Sequence, residues 1–178
     1  MFVLGDSGEP KDTKKILSRV KDGVLRAQSL LAAKYPDFSL HSTSGSDLER
    51  YADDLTRDEL ELLRGTLRNR DITLEAERVL RTTPLDHEQI GALLDAHQAV
   101  LREVLRISTV KIDAMIDAAR EAGALGGKIN GSGGGGCMFA YAPTDPESVA
   151  GAIRRAGGRA YVVRSDAGTR AEPCGSGS

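Results

Sequence analysis

A run of glycines between two apolar segments is the part of this sequence best suited to chemistry. Residues 131–136 read Gly-Ser-Gly-Gly-Gly-Gly. Because glycine adopts positive φ without steric cost, such a run can direct several backbone N–H groups at one anion. The run also loses much entropy on ordering, so a folded chain must hold it by contacts. Three interpretations compete: a flexible linker, a glycine-rich hairpin, and a loop that closely approaches a phosphate or another backbone.

Two phosphate-binding patterns fail at the residues after the glycine run. Gly131, Gly133 and Gly136 match the spacing G-x-G-x-x-G, but that motif must open a helix after a strand. Here residues 137–141 are apolar and read as a strand, and Cys137 stands where the Walker A pattern needs lysine. A linker would not be bracketed by two apolar strands. The sequence therefore predicts strand, glycine-rich loop, strand.

Two further side chains near this region could serve a site. Lys128 could add positive charge beside the loop, or it could point to solvent, because side chains alternate along a strand. His97 lies on an apolar helix face, where a core histidine bonded to the backbone is favoured over a ligand. No cysteine–histidine cluster indicates a metal site, and no Ser–His–Asp set can be argued.

Composition narrows the class of protein. The 178 residues suit one domain, and the net charge of −2 provides no electrostatic footprint for nucleic acid or an anionic membrane. No apolar run is long enough to span a membrane, and no secretion signal is recognisable at the start. Cys137 and Cys174 do not form a disulfide framework, so we expect a cytoplasmic protein.

The elements that must position these residues follow from hydrophobic period and capping signals. The order is one strand, several helices, two strands, one helix and a last strand. Predicted helices begin at Asp12 or Thr13, at Thr56, near Thr73, at Asp86, at Ser108 or Thr109, and at Thr144 or Asp145. Residues 38–54 are polar and irregular, either a mobile surface loop or the border of a site. This order predicts an α+β fold of ferredoxin-like type, with a four-stranded antiparallel sheet, helices on one face, and extra helices between strands 1 and 2.

Residues 123–137 resemble the third motif of the GHMP kinases, the family of galactokinase, homoserine, mevalonate and phosphomevalonate kinases. The motif is roughly G-A-x-x-T-G-A-G-x-G-G-C, and Asn130 and Ser132 depart mildly from it. Segments 69–79, 97–102 and 107–113 look most like the galactokinase branch. The resemblance covers roughly residues 2–165.

The resemblance implies a C-terminal domain over residues 1–166, followed by a disordered tail at 167–178. The family's P-loop-like motif P-x-x-x-G-L-G-S-S-A, its general-base aspartate and its sugar-contacting motif belong to the N-terminal domain, and none occurs in this chain. We therefore assign no catalytic residue and no metal ligand here. The abrupt start at a core strand is expected to be a fragment boundary.

In the family the third motif lies against the phosphate loop and lines the cleft between the domains. The resemblance thus predicts cofactor-binding residues Gly131, Ser132, Gly133, Gly134, Gly135 and Gly136. It also places Asp6 and Ser7 near the acceptor substrate, although a turn leading into the first helix explains them equally well. Lys128 and His97 remain weaker candidates.

The leading hypothesis is an ATP-dependent, galactokinase-like kinase that transfers the γ-phosphoryl group of Mg-ATP to a sugar hydroxyl. The implied cofactors are ATP and Mg²⁺, and the implied partners are a sugar and the missing N-terminal domain. This chain alone is expected to be inactive, and its exposed domain interface could self-associate. The alternatives are a non-catalytic sugar or sugar-phosphate binding domain, an interaction half pairing with a separately encoded domain, and a homoserine- or mevalonate-type kinase.

Overall fold

The computed structural model describes residues 1–10, 14, 16, 18–166 and 168. The predicted cap at Asp12 or Thr13, the cysteine at Cys174 and the predicted tail apart from Gly168 lie outside the described residues. Among the described residues, no helix combines the length and the apolar character needed to cross a membrane.

Four short strands form one antiparallel sheet. They are β1 (Phe2–Asp6), β2 (Gly126–Asn130), β3 (Cys137–Tyr141) and β4 (Arg159–Val163). The spatial order is β2-β3-β1-β4, and each neighbouring pair is antiparallel. The first strand therefore lies inside the sheet, between the β2-β3 hairpin and the last strand. This confirms the predicted ferredoxin-like α+β arrangement.

Two helices cover one face of the sheet. They are α4 (Val110–Glu121) and α5 (Pro146–Arg155) in the numbering used here. A Cβ atom added to Gly5 would lie 2.9 Å from Met115 Cε of α4 and 3.1 Å from Ile153 Cγ2 of α5. Glycine at this position of β1 thus allows both helices to pack closely on the sheet.

Among the described residues, three further helices, one 3₁₀ segment and two π-helical turns lie between β1 and α4. A π-helical turn (Ser18–Asp22) leads into α1 (Gly23–Lys34), and a 3₁₀ segment (Asp47–Asp54) precedes α2 (Arg57–Leu80). Next comes α3 (His87–Ala99), which continues as a second π-helical turn (Val100–Val104).

The predicted caps at Thr56, Asp86, Thr109 and Asp145 each accept a backbone N–H bond at a helix start. These four helix starts are therefore set by local sequence. The predicted helix start near Thr73 is wrong, because α2 runs through it without a break. The Thr73 hydroxyl bonds the carbonyl oxygen of Asn69 at 2.7 Å, one turn back, instead of capping a new helix.

The polar segment at residues 38–54 is packed into the fold. Phe38, Leu48 and Tyr51 are buried in a second hydrophobic cluster with residues of α1 and α2. Arg70 of α2 donates to the carbonyl oxygens of Leu40 and Thr43 at 2.7 and 2.8 Å. The segment therefore belongs to the structural core, rather than forming the mobile loop that its polarity suggested.

Helix α3 supplies hydrogen-bond acceptors to the free edge strand of the sheet, β2. Its Asp95 and Gln98 side chains accept bonds from the backbone N–H groups of Gly127 and Ile129, at 2.9 and 3.0 Å. These N–H groups belong to alternate residues of β2, the pattern by which an edge strand leaves donors unpaired. The contact requires glycine at 91, since a Cβ there would overlap the Leu125 carbonyl group.

Candidate functional site

The glycine loop between β2 and β3 is built from left-handed backbone. Gly131 and residues 133–136 have φ between 68° and 110°. A non-glycine residue pays roughly 1–2 kcal/mol for this conformation. The run of glycines therefore specifies a fixed sequence of positive-φ residues that carries the chain from one strand to the next.

Three backbone bonds fasten the loop to two other segments. Gly134 N donates to the carbonyl oxygen of Ile107 at 2.7 Å, and Gly136 N donates to that of Glu9 at 3.2 Å. In return, Ser7 N donates to the Gly136 carbonyl oxygen at 2.9 Å. The loop is thus held by the segments after β1 and before α4, in addition to the β2-β3 hairpin itself.

Close approach of these segments also requires glycine. A Cβ atom on Gly133 would lie 2.5 Å from the carbonyl oxygen of Ile107, and one on Gly135 would lie 2.9 Å from that of Pro10. A Cβ atom on Gly134 would overlap Ile16 Cδ1. At least part of the glycine requirement therefore comes from packing within this chain.

The amino-terminal end of α4 lies beside the loop. Thr109 caps the helix by accepting from Ile112 N at 3.2 Å, and its hydroxyl donates to Glu9 Oε2 at 2.5 Å. Glu9 thereby joins α4 to the glycine loop, through its carboxylate on one side and its carbonyl oxygen on the other. Val110, the first residue of α4, is 89% exposed at this end of the molecule.

A polar row crosses the sheet next to the loop, on the face opposite α4 and α5. The strand register places Asn130 beside Cys137, Cys137 beside Asp6, and Asp6 beside Arg159. Asp6 Oδ2 accepts from Arg159 at 2.5 Å, and Asp6 Oδ1 accepts from Gly8 N at 2.8 Å. We call Asn130, Cys137, Asp6 and Arg159 the polar row.

Asp6 and Ser7, although adjacent in the chain, lie in different environments. The Gly8 N–H, and next the Arg159 guanidinium, hold the pKa of Asp6 below its ordinary value of 3.8. Its bond to Gly8 is the turn leading out of β1, while its ion pair orients an arginine that is 70% exposed. Ser7 is buried, and its hydroxyl accepts from Glu9 N at 3.2 Å. Asp6 therefore faces the open side of the sheet, and Ser7 supports the turn.

Lys128 and His97 lie away from the loop, near each other. Lys128 Nζ lies 5.3 Å from the ring centroid of Phe139 and donates to the carbonyl oxygen of Ile129 at 2.7 Å. Burial lowers the pKa of Lys128. Burial, followed by the charge of Lys128, lowers the pKa of His97 from 6.5 to about 4. His97 lines an apolar pocket, and Lys128 is half-buried rather than solvated.

The structure gives within-chain partners to two of the residues predicted to bind the cofactor. The N–H groups of Gly134 and Gly136 are bonded to Ile107 and Glu9, so neither faces a phosphate. No group of three or more histidine, cysteine, aspartate or glutamate side chains among the described residues could hold a metal ion.

Several residues that build this region carry no signal in the sequence. The pattern identifies Arg159 only as the start of a strand and Glu9 only as part of a turn. It predicts Thr109 as a cap, but not as a partner of Glu9. The periodicity of single elements carries no information on these pairs, which lie 100 residues apart for Glu9 and Thr109 and 153 apart for Asp6 and Arg159.

Comparison with known proteins finds a family match over the second half of the chain. Residues 76–161 match the family described as GHMP kinases C terminal. A mevalonate kinase of Thermococcus onnurineus is 42% identical over 104 residues, 56% of this chain and 31% of that protein. A mevalonate kinase of Pyrococcus furiosus is 51% identical over 76 residues, 43% of this chain and 22% of that protein.

Relatives of a second activity match as well. A galactokinase of Mycobacterium tuberculosis is 37% identical over 94 residues, 50% of this chain and 26% of that protein. The matched segments thus span about a third or less of the length of these curated relatives. Both activities occur among the relatives, so the galactokinase branch is not singled out.

Solved structures share the fold. The crystal structure of Lactococcus lactis galactokinase complexed with galactose has a TM-score of 0.77 at 19% identity, covering 90% of this chain and 44% of that one. The structure of L. major mevalonate kinase in complex with R-mevalonate has a TM-score of 0.55 at 19% identity, covering 87% of this chain and 36% of that one. At this identity the likeness concerns the fold alone.

Proposed function

We propose, from the premise that this chain contains a GHMP kinase C-terminal domain, that it forms one wall of the cleft of an ATP-dependent kinase. The kinase would transfer the γ-phosphoryl group of ATP to an alcohol group of a small molecule. The observation that carries the proposal is the glycine loop, in which five of six residues lack a side chain and which Ile107, Glu9 and Ser7 hold in place.

The role of the loop is to exclude water and to admit another backbone closely. Its N–H groups at Gly134 and Gly136 are used within the chain, so they position the loop and do not bind phosphate. A smooth, preformed wall lets a phosphate-binding loop from elsewhere in the protein pack against it. Phosphoryl transfer depends mainly on positioning and charge stabilisation, and a rigid wall contributes to the first of these.

Two features favour a covered surface at this end of the domain. Val110 is 89% exposed beside the loop, an arrangement expected where a further part of the protein packs. The matched curated relatives are also much longer than the segments they share with this chain. ATP and Mg²⁺ would accordingly be held mainly by that further part, and the isolated chain would show no turnover.

The polar row is the proposed edge of the acceptor site. Asp6 is ionised at neutral pH and fixes Arg159, whose guanidinium extends into solvent. An anionic or hydroxyl-rich acceptor can accept bonds from that guanidinium. Ser7 would act indirectly, by holding the turn that presents Asp6.

Mevalonate is the acceptor favoured by the comparisons, because the mevalonate kinases are 42% and 51% identical over their matched segments. Its carboxylate would suit Arg159. Galactose or another sugar, the acceptor first expected from the sequence, is the second candidate, supported by a galactokinase that is 37% identical.

The test uses the complete gene product that contains this chain, assayed for ATP consumption with mevalonate and with galactose. We expect turnover with one acceptor and none with the 178-residue chain alone. Arg159→Gln should raise the KM for the acceptor by roughly ten-fold or more, the value of a bond to a charged group. The matched control Arg164→Gln removes an exposed arginine just beyond β4 and should leave KM unchanged.

Three results would oppose the proposal. Acceptor-dependent ATP hydrolysis by the chain alone would show that no further part is needed. Lack of turnover by the gene product, together with saturable sugar binding without nucleotide, would favour a non-catalytic binding domain. An unchanged acceptor KM in Arg159→Gln would remove the polar row from the site while leaving the kinase assignment intact.

A further inference from the structure

A second concave site lies on the sheet face that carries the polar row, away from the glycine loop. It has a volume of about 250 Å³ and lies between the sheet and helices α2 and α3. Its lining includes Phe2, Ile72, Ala76, Leu93, His97 and Phe139. Phe2 lies four residues before Asp6 on β1, roughly 13 Å along the strand, whereas Phe139 lies only two residues after Cys137 on β3. The pocket therefore adjoins the polar row at one end and extends away from it at the other.

The interior of this pocket is apolar, and its one histidine is neutral at physiological pH because its pKa is about 4. Phe2 and Phe139 form the floor with their rings 5.8 Å apart in an edge-to-face arrangement. At about 30 Å³ for a water-sized group, the volume holds roughly eight such groups. The space suits a short aliphatic chain.

A cation borders this apolar space. Lys128 Nζ lies over the ring of Phe139, one of the floor residues, and its charge acts on His97. None of the ion pairs among the described residues includes Lys128, and its ammonium donates to a backbone carbonyl oxygen. A half-buried ammonium without a carboxylate partner is costly, and a bound anion would relieve that cost.

We propose that this pocket binds a small amphiphilic anion, with an aliphatic chain of about eight carbons between α2, α3 and the sheet and an acidic head group at Lys128. The apolar lining selects the chain, and the ammonium selects a carboxylate or a phosphate over a neutral head group. The pocket does not include the glycine loop, and its proposed occupant is not the acceptor of the proposed kinase.

The test is calorimetric titration of the 178-residue chain with octanoate, octyl phosphate, octanol and butyrate. Octanoate or octyl phosphate should bind saturably, and the tighter of the two identifies the preferred head group. Octanol lacks the charge and should bind at least ten-fold more weakly. Butyrate lacks four methylene groups and should bind roughly hundred-fold more weakly.

Two variants distinguish the contribution of the cation to affinity from that of the cavity. Lys128→Met keeps the aliphatic stem and removes the charge, so octanoate should bind roughly ten-fold more weakly while octanol is unaffected. The control Lys21→Met removes an exposed lysine elsewhere and should change neither affinity. Ala76→Leu fills part of the pocket and should weaken octanoate and octanol together, and circular dichroism checks that each variant folds.

Equal affinity for octanoate and octanol, or no effect of Lys128→Met, would overturn the proposal. So would the absence of saturable binding by any of the four compounds. If the chain binds octanoate but the complete gene product does not, the pocket is covered by another part of that protein, and the proposal is likewise wrong.

Discussion

Replacement of Gly133 by alanine tests whether the glycine loop is fixed by this chain's own packing. Gly133 has a φ of 78°, so alanine carries a backbone penalty of about 1–2 kcal/mol. The added Cβ would also lie 2.5 Å from the carbonyl oxygen of Ile107, closer than real Cβ contacts. Backbone must move to relieve that overlap, at about 1–3 kcal/mol.

The movement would also weaken a neighbouring hydrogen bond. Gly134 N donates to the same Ile107 carbonyl oxygen at 2.7 Å, and its loss would add about 1 kcal/mol. We therefore expect Gly133→Ala to lower the free energy of unfolding by about 3–6 kcal/mol, a large part of a typical stability of 5–15 kcal/mol. The measurement is urea unfolding of the isolated chain, without nucleotide, followed by circular dichroism.

Gly8 provides the matched control. Its φ is 68°, and no heavy atom lies within 4 Å of a Cβ built on it. Gly8→Ala should therefore cost only the backbone penalty of about 1–2 kcal/mol. If the two variants lose equal stability, the contact with Ile107 is not what requires glycine, and the loop's glycines must serve something outside this chain.

Three further outcomes are expected. Asp6→Asn should make stability less dependent on pH in acid. The folded-state pKa of Asp6 is lowered, so its contribution to stability is present above the ordinary value of 3.8 and is lost as pH falls through the folded value. Denaturant unfolding from pH 7 to pH 3 measures this difference. Gln98→Leu should lower the free energy of unfolding, measured in urea, by about 1–3 kcal/mol, because the buried N–H of Ile129 loses its acceptor. A loss below about 1 kcal/mol would show that water replaces the lost acceptor. NMR titration of His97 should show a neutral imidazole from pH 7 down to about 4. Because this pKa is lowered from 6.5, the unfolded chain binds the proton first, so stability falls as pH drops below 6.5. A midpoint near 6.5 in the folded protein would refute burial of the ring.

Much of the local structure follows from short-range signals. The caps at Thr56, Asp86, Thr109 and Asp145 mark helix starts because each side chain bonds an N–H group only three residues away. Thr73 shows the limit of the same reasoning. A threonine hydroxyl can cap a new helix or donate to the carbonyl oxygen one turn back, and in the unbroken helix α2 it does the second.

The candidate site is predictable only in part. The glycine loop is visible in the sequence, because five glycines in six residues serve few other purposes. For Lys128 the sequence offers a role at the loop or exposure to solvent, and the structure shows a third environment, over Phe139 beside His97. Because side chains alternate along a strand, the sequence assigns each residue to one of two faces, but it does not indicate what packs on either face.

By itself, the sequence determined the order of elements, most helix starts and the need for a positive-φ loop at residues 131–136, because these depend on contacts within a few residues. Only the tertiary structure decided that the loop is fastened to Ile107 and Glu9, and that Asp6 meets Arg159. Those pairs depend on strand register and on the docking of α4, which are set by the whole packed core. The glycine loop is thus specified locally in its backbone, but globally in what it touches.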